Sequence, residues 1–418
     1  MNAKERLQKA IAGQPTDIPA VAPAYLSLYL DEQTQRLYRA AYERKLAAQT
    51  GGQASGAVSI DHAEDARFRA EAILGAYEVL AEPPDGAPSL GDWIHTLPGE
   101  THAWAEGGEM RFTGGRWHYA DRITGETSNL DEAGRLWLST ANRYMYRVRT
   151  ADTDLWDESA GLRTRADVDA LLPCRSAEEL EAEGAFEVTK VLAERVGKRL
   201  PLSCIAPTPF WATYGLLGFQ GMMMMMREEP DLFAYLMERR GRQRMEMLKG
   251  LARAGVEHLW LEECLSSADL ISPRDYERFA FATAGPFIAE AKRLGLTVIL
   301  YYCGDVIPRL PWLKRLGMDA LAVEESKKGF SVDIADVIAG VDGACCVFGN
   351  VDAVQVMLEG TGEAILAEVH RQLTMGQQAK GFVLSQGSPF TLDTPPGKIA
   401  WFVQCARQFN SFTSGSRS

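Results

Sequence analysis

The feature that most restricts the fold is a regular alternation of short apolar runs with helical segments, beginning at about residue 151. The apolar runs cover residues 200–206, 258–263, 297–303, 319–325, 345–351 and 382–388. Alternation of this kind predicts βα units and a parallel sheet. Residues 18–26 are a further strand candidate, and we expect an eighth strand in the less regular middle region. The sequence therefore predicts an α/β protein with a (β/α)8 TIM barrel.

The last five apolar runs all end in residues able to carry chemistry. These ends are Glu262-Glu263-Cys264, Cys303-Gly304-Asp305, Glu324-Glu325, Gly349-Asn350-Val351-Asp352 and Ser385-Gln386-Gly387-Ser388. In a barrel the carboxyl ends of all strands meet at one mouth, where the loops build the active site. This pattern favours a barrel over an open sheet.

The first part of the chain follows a different pattern. Residues 2–13 and most of 31–80 are helical, which predicts an N-terminal helical region. Residues 109–112 and 116–122 are short β-type runs joined by Thr113-Gly114-Gly115, which is typical of a hairpin. We expect residues 93–127 to form a β-rich excursion outside the barrel. The whole chain, 1–418, is then one domain with an insertion at 85–150.

Composition excludes several classes of protein. Apolar residues make up 46% of the chain and charged residues 24%, as in ordinary globular proteins. The net charge of −12 opposes nucleic-acid binding, and no apolar window is long enough to cross a membrane. No secretory signal is present, and seven scattered cysteines suggest reduced thiols, so we expect a cytoplasmic protein. The composition leaves a homodimer open.

Four segments carry a resemblance to a known family. They are KERLQKAIAGQPTDIPAVAP, LISPRDYERFAFATAGPFIAEAKRLGLTVILYYCGD, FGNVDAVQVMLEGTGEAI and TLDTPPGKIAWFVQCARQF. The chain resembles the uroporphyrinogen decarboxylase superfamily over most of its length, least at about residues 85–150. This resemblance implies the (β/α)8 fold. It also implies either decarboxylation or zinc-dependent methyl transfer between a corrinoid protein and a thiol or other acceptor.

Two departures separate the chain from the branches of that superfamily. The decarboxylase branch carries an Arg-Gln-Ala-Gly-Arg-Tyr motif after its first strand, where this chain has residues 24–30, AYLSLYL, without arginine. A substrate with many carboxylates needs guanidinium groups at short range. The methyltransferase branch binds zinc with His-x-Cys and a later Cys. Here the corresponding residues are Tyr301-Tyr302-Cys303 and Ser385-Gln386-Gly387-Ser388, so only Cys303 remains.

Cys303 is the leading candidate, as a metal ligand or nucleophile, because it ends an apolar run and matches the family. Glu325 lies 22 residues further on (325 − 303), a spacing similar to that of the zinc site in cobalamin-independent methionine synthase. A zinc ion held by Cys303, Glu325 and Glu263, with Cys264 or Tyr301 as alternatives, is chemically reasonable.

Other strand-end residues are candidates for acid–base chemistry or substrate contact. Because strand residues alternate between faces, only one of Glu262 and Glu263 points inward, and we favour Glu263 as the catalytic one. Tyr301 is a candidate proton donor. The expected substrate-binding residues are Tyr302, Asp305, Asn350, Asp352 and Ser388.

Three functions fit these observations. The first is a methyltransferase that moves a methyl group to or from a corrinoid or thiol acceptor, with zinc assistance and a corrinoid protein as partner. The second is a decarboxylase acting on a tetrapyrrole or a smaller carboxylic acid. The third is a non-catalytic protein that binds a corrinoid or tetrapyrrole. The acidic strand ends favour a cation or a neutral small molecule over a polyanion.

Overall fold

The computed structural model describes residues 1–51, 56–59, 62–81, 91–96, 108–114, 116–121, 127–129, 162–182, 184–327 and 329–409. Its strands are β1 (Gly56–Ser59), β2 (Ile94–Thr96), β3 (Gly108–Thr113), β4 (Arg116–Asp121), β5 (Thr127–Asn129), β6 (Leu202–Pro207), β7 (His258–Glu263), β8 (Thr297–Tyr302), β9 (Ala320–Val323), β10 (Cys346–Phe348) and β11 (Phe382–Val383). Seven of these strands form one sheet in the order β11-β10-β9-β8-β7-β6-β2, with every neighbouring pair parallel. The predicted α/β barrel class is confirmed.

The two edges of this sheet, β2 and β11, are connected by an extended segment near the N-terminus. The Ala22 amide donates to the Leu384 carbonyl at 2.9 Å, and the Leu384 amide donates to the Ala20 carbonyl at 2.9 Å. On the other side, the Asp92 amide donates to the Val21 carbonyl at 2.7 Å. Ala20–Ala22 therefore occupies the remaining place in the ring without forming a full strand.

The carboxylate of Asp92 is fully buried and strengthens this closure. It accepts hydrogen bonds from the Val21 amide at 2.8 Å, from Arg6 at 2.7 Å and from Arg407 at 2.9 Å. A buried carboxylate is tolerated only when it is paired and hydrogen-bonded, as it is here. Asp92 thereby joins the first helix, the closing segment and the last helix.

The described residues form fifteen α-helices. They are α1 (Ala3–Ile11), α2 (Leu26–Tyr29), α3 (Asp31–Thr50), α4 (His62–Ala81), α5 (Arg165–Leu171), α6 (Ala177–Ala182), α7 (Glu187–Val196), α8 (Pro209–Glu228), α9 (Pro230–Arg253), α10 (Pro273–Asp275), α11 (Ala282–Arg293), α12 (Leu310–Leu313), α13 (Ile334–Val341), α14 (Gly362–Gly376) and α15 (Pro396–Arg407). Two π-helical turns, Tyr276–Phe281 and Ala353–Leu358, and a 3₁₀ turn, Ile307–Arg309, complete them. None of the described helices is long and apolar enough to span a membrane.

Local sequence explains how the helix nearest the candidate site begins. The Thr208 hydroxyl accepts from the Trp211 amide at 3.1 Å, and Pro209 fills the first helical turn of α8. Both are favoured positions for these residue types. In the same helix Met222 and Met225 are buried in the core.

The sheet separates two apolar layers. Residues facing the barrel interior include Trp93, Trp260, Ile299, Tyr301 and Phe348. The opposite face packs against the surrounding helices, with Leu259 and Leu261 among its members. Because side chains alternate along a strand, this division decides which strand-end residues reach the mouth.

The predicted hairpin is present, but the start of the excursion that contains it was predicted wrongly. β3 and β4 pair antiparallel, and β1 and β5 extend them to a four-stranded sheet. β2, however, lies inside the predicted excursion 93–127 and insertion 85–150, yet it pairs in parallel with β6 as a barrel strand. The excursion therefore begins after residue 96. Residues 130–161 lie outside the described residues, so the rest of the insertion stays a prediction.

Candidate active site

The ends of β7 and β8 place three kinds of side chain on the inner face. Trp260 and Tyr301 form the apolar floor, with their rings stacked at a centroid distance of 5.1 Å and an interplanar angle of 24°. Two residues further along each strand the same face carries Glu262 and Cys303. The floor is fully buried, so these polar groups stand at the boundary between the core and the mouth.

Cys264 and Cys303 form a close pair of thiols above this floor. Their Sγ atoms are 2.8 Å apart, and the Cys303 amide donates to the Glu263 carbonyl at 2.9 Å. The hydrogen bond to Cys303 and burial raise the pKa of Cys264 far above its usual value. Burial also raises the pKa of Cys303, and the charges of Glu324 and Glu262 raise it further. Both thiols therefore keep their protons at neutral pH unless a positive charge approaches.

Glu262 is held by two aromatic residues from distant parts of the chain. The Tyr25 hydroxyl donates to its carboxylate at 2.6 Å, and the Trp260 indole donates to the Tyr25 oxygen at 2.9 Å. The side chain of Trp211 also hydrogen-bonds to Glu262. Burial raises the pKa of Glu262, and both of these hydrogen bonds act against that rise.

The backbone of Tyr25 adopts a left-handed conformation, with φ 57° and ψ 21°. This conformation is unfavourable for a bulky residue and is often found at functional sites. Tyr25 lies at the end of the first predicted strand, where the decarboxylase branch would have its arginine motif. Its role was missed because the partner, Glu262, is 237 positions away in sequence.

Glu263 and Tyr302 face away from the mouth, contrary to prediction. Glu263 shares its strand face with Leu259 and Leu261, and its carboxylate accepts from the Thr208 hydroxyl at 2.6 Å. Burial raises the pKa of Glu263 to about 7. The Tyr302 hydroxyl donates to the Ser266 carbonyl at 2.7 Å within the outer apolar layer. The carboxylate beside the thiols is therefore Glu262, not Glu263.

On the other side of the mouth, Lys327 contacts three strand-end residues. Its Nζ lies 2.8 Å from Glu324 Oε1, 3.6 Å from Glu325 Oε1 and 2.6 Å from Ser388 Oγ. The Gly304 amide donates to Glu324 Oε2 at 2.9 Å. The Oε2 atom of Glu325 is buried and has no hydrogen-bond partner among the described residues. Predicted residues Glu325 and Ser388 thus lie together, with one ammonium group between two carboxylates.

Asn350 and Asp352 hold loops in place. The Asn350 amide group donates to the Glu324 carbonyl at 3.1 Å and to the Val332 carbonyl at 2.9 Å. Asp352 accepts from two backbone amides at the start of the π-helical turn that follows it. Asp305 is half-buried, and its amide donates to Asp269 at 3.3 Å. These contacts of Asn350 and Asp352 are with the protein's own loops. Substrate contact by these two residues and by Asp305 stays a prediction.

The predicted zinc ligands do not assemble into one site. Glu263 faces away from Cys303, and the described residues contain no group of three or more His, Cys, Asp or Glu side chains placed to hold a metal ion. Two thiols alone are fewer than the three protein ligands that catalytic zinc sites use. A resident zinc ion therefore does not fit the side chains as the described part of the chain arranges them.

A parallel barrel with carboxylates, thiols and phenols at the carboxyl ends of its strands has the architecture of a TIM-barrel enzyme. The family model for uroporphyrinogen decarboxylase matches residues 159–409, which is more than half of the chain. The chain belongs to the uroporphyrinogen decarboxylase family.

Curated relatives in this family carry two different names at similar identity. The methylcobamide:CoM methyltransferase MtbA of Methanosarcina mazei is 25% identical over 224 residues, covering 54% of this chain and 63% of the relative. The uroporphyrinogen decarboxylase of Geobacter sp. (strain M21) is 26% identical over 256 residues, covering 60% of this chain and 71% of the relative. The match to the first relative thus spans less than two thirds of its length.

One solved structure resembles the chain over nearly its whole length. A methyltransferase from Methanosarcina mazei superimposes with a TM-score of 0.61 and covers 98% of this chain and 99% of its own. The sequence identity is 17%, so this likeness concerns the fold.

Proposed function

We propose that the chain is a methyltransferase that moves a methyl group to or from a corrinoid or a thiol acceptor. The observation that carries this proposal is the thiol pair Cys264–Cys303, which lies on the inner face at the barrel mouth beside Glu262. Soft, polarizable sulfur suits methyl exchange. The curated methyltransferase relative supports the proposal by its name, methylcobamide:CoM methyltransferase.

The charges at the mouth argue against a tetrapyrrole with many carboxylates. Glu262, Glu324 and Glu325 lie at the strand ends, and Lys327 already pairs with two of these carboxylates. The nearby Arg309 is buried on the outer side of the sheet, where it donates to the carbonyls of Ser266 and Ile271. Each charge-assisted contact that the described residues do not supply would cost a polyanion about 1.5–3 kcal/mol.

In this proposal Glu262 is the general base that accepts the proton of the acceptor thiol. The thiol loses its proton to the Glu262 carboxylate, and a sulfur–carbon bond forms. The bond between the methyl carbon and the donor atom breaks, and the donor atom keeps the electron pair. Tyr25 and Trp211 hold the carboxylate in position during this exchange.

No step depends on zinc, because the described side chains do not assemble its ligands. The corrinoid would be presented by a partner protein or as free methylcobalamin. Metal analysis of protein purified without chelator, compared with Cys303→Ser, tests the metal separately. Stoichiometric zinc that is lost in the variant would restore zinc to the mechanism.

The direct test is transfer of the methyl group from methylcobalamin to 2-mercaptoethanesulfonate. The reaction is monitored through the loss of the methyl–cobalt absorbance. We expect Glu262→Gln and Cys303→Ser to lower the rate by at least about tenfold, which corresponds to ~1.4 kcal/mol. The matched controls are Glu359→Gln and Cys174→Ser, which alter an exposed carboxylate and an exposed thiol.

The same protein preparation is also tested with uroporphyrinogen, the substrate of the decarboxylase alternative. We expect no turnover, measured as release of carbon dioxide. Carbon dioxide released at an enzyme-like rate, without methyl transfer, would replace this proposal with the decarboxylase alternative.

A further inference from the structure

Aromatic side chains surround the Glu262 carboxylate on more than one side. Trp211 and Tyr214 of α8 stack with centroids 4.9 Å apart and planes 12° apart, and both are half-buried. The Trp211 side chain hydrogen-bonds to Glu262, which fixes this stack beside the carboxylate. Tyr25 approaches the same carboxylate from the closing segment of the barrel.

The floor beneath Glu262 is also aromatic. Tyr25 contacts Trp260 edge-on at 5.7 Å and Tyr301 edge-on at 5.5 Å, measured between ring centroids. Trp93 packs under Trp260 at 5.6 Å. The carboxylate thus stands on a rigid aromatic base with a further aromatic stack beside it.

Negative charge at this mouth exceeds the positive charge that the described residues supply. Glu262 makes no salt bridge in the described part of the chain, while Glu324 and Glu325 share Lys327. Glu325 Oε2 is buried without a partner, and its residue is 5% exposed. This atom lies beside Gly387, whose carbonyl accepts from the Tyr301 hydroxyl at 2.7 Å. The unpartnered oxygen is therefore next to the aromatic floor.

We propose that the mouth binds a methylated onium cation, such as a quaternary ammonium or a sulfonium, between the Trp211–Tyr214 stack, Tyr25 and the Glu262 carboxylate. Large, weakly hydrated cations are recognised by aromatic faces together with nearby negative charge. A small divalent cation does not suit the same place, because the described residues do not assemble three ligands.

This inference rests on the proposed function and names its methyl donor. When the methyl group leaves an onium donor, the nitrogen or sulfur keeps the electron pair of the broken bond and becomes a neutral amine or thioether. The product then lacks the charge that held the donor, which favours its release. The methyl group passes to the corrinoid or thiol acceptor.

Binding can be measured without any turnover. Choline is titrated into the whole protein by calorimetry and compared with 3,3-dimethyl-1-butanol, its uncharged isostere, and trimethylsulfonium and tetramethylammonium form separate arms. We expect choline to bind at least about tenfold more tightly than the isostere. Glu262→Gln and Trp211→Leu should each weaken choline binding by about tenfold, whereas Glu359→Gln and Trp401→Leu should not.

Equal binding of choline and its isostere, or full choline affinity in both Glu262→Gln and Trp211→Leu, would overturn the inference. Circular dichroism of each variant shows whether it has folded. Choline binding without methyl transfer would leave this inference standing and reject the proposed function. Methyl transfer from methylcobalamin without choline binding would support the proposed function and reject this inference.

Discussion

Cys264 and Cys303 stand opposite each other at the ends of neighbouring parallel strands, and their Sγ atoms are 2.8 Å apart. Neighbouring strands lie about 4.8 Å apart, within the range of Cα separations that disulfides span. The five other cysteines lie elsewhere, and Cys174 is exposed. At the mouth, oxidation of one thiol therefore has a second thiol within reach.

We predict that diamide converts this pair to a disulfide, with diamide taking up the two hydrogens that the thiols lose. The raised pKa of both thiols should make the reaction faster at higher pH, because the thiolate is the reactive form. Peptide mapping by mass spectrometry should find a Cys264–Cys303 linkage that dithiothreitol removes. No Cys264–Cys303 linkage in the diamide-treated wild type, or a disulfide between other cysteines in its place, would contradict the assignment.

Glu263 should make stability depend on pH. Its pKa rises from 4.5 to about 7 on folding, so the folded state holds this proton more tightly than the unfolded chain does. The resulting stabilisation is complete below pH 4.5 and is lost as the pH rises through about 7. The shift corresponds to roughly 3 kcal/mol.

The measurement is urea unfolding of the wild-type protein and Glu263→Gln between pH 5 and 8. We expect the wild type to lose stability relative to the variant across this range, because glutamine carries no titrating proton. Glu359→Gln, an exposed change, should follow the wild type. Parallel curves for wild type and Glu263→Gln would refute the prediction.

Tyr25→Phe should weaken both stability and activity. The change removes the hydrogen bond that the Tyr25 hydroxyl donates to the Glu262 carboxylate and the one that it accepts from the Trp260 indole, which costs about 1–3 kcal/mol for buried groups. The acid limb of the pH–rate profile for methyl transfer should move to higher pH, because Glu262 loses a bond that lowers its pKa. Tyr29→Phe is the matched control, since that hydroxyl donates to the Thr394 carbonyl. An unchanged pH profile in Tyr25→Phe would remove Tyr25 from the site.

Gly387→Ala should disturb the Glu325 side of the mouth. A Cβ atom at Gly387 would lie 2.4 Å from both the Glu325 amide nitrogen and its Oε2 atom, so the backbone must move. We expect a loss of about 1–3 kcal/mol in unfolding free energy, measured in urea. Gly397→Ala, where the added Cβ meets nothing within 4 Å, should be neutral or stabilising. Equal stability of the two variants would show that the contact relaxes freely.

The barrel strands β6 to β11 could be predicted because each is a short apolar run between helices. β2 could not, since its three residues, Ile94–Thr96, lie among segments without a clear period. The predicted first strand, 18–26, was too long. Only Ala20–Ala22 bonds as a strand would, and Tyr25 turns the chain into α2.

The site was predicted less completely than the fold, for a physical reason. The residues before Glu262 and Glu263 are apolar on both faces of β7, so the sequence did not show which glutamate points inward. The contacts that decide it come from Tyr25, Trp211 and Thr208. Such long-range contacts leave no local pattern in a sequence.

The buried carboxylate of Asp92 also has a consequence for the order of folding. It joins Arg6 and Arg407, which are 86 and 315 positions away in sequence, so the ring closes through its most distant contacts. Contacts of this range carry the largest loop-closure entropy and form slowly. The βα units from β6 to β11 can assemble earlier through contacts between neighbours. Until Asp92 acquires its partners, we expect the edges β2 and β11 to expose unpaired amides and carbonyls, and the half-closed ring to be the state most open to aggregation.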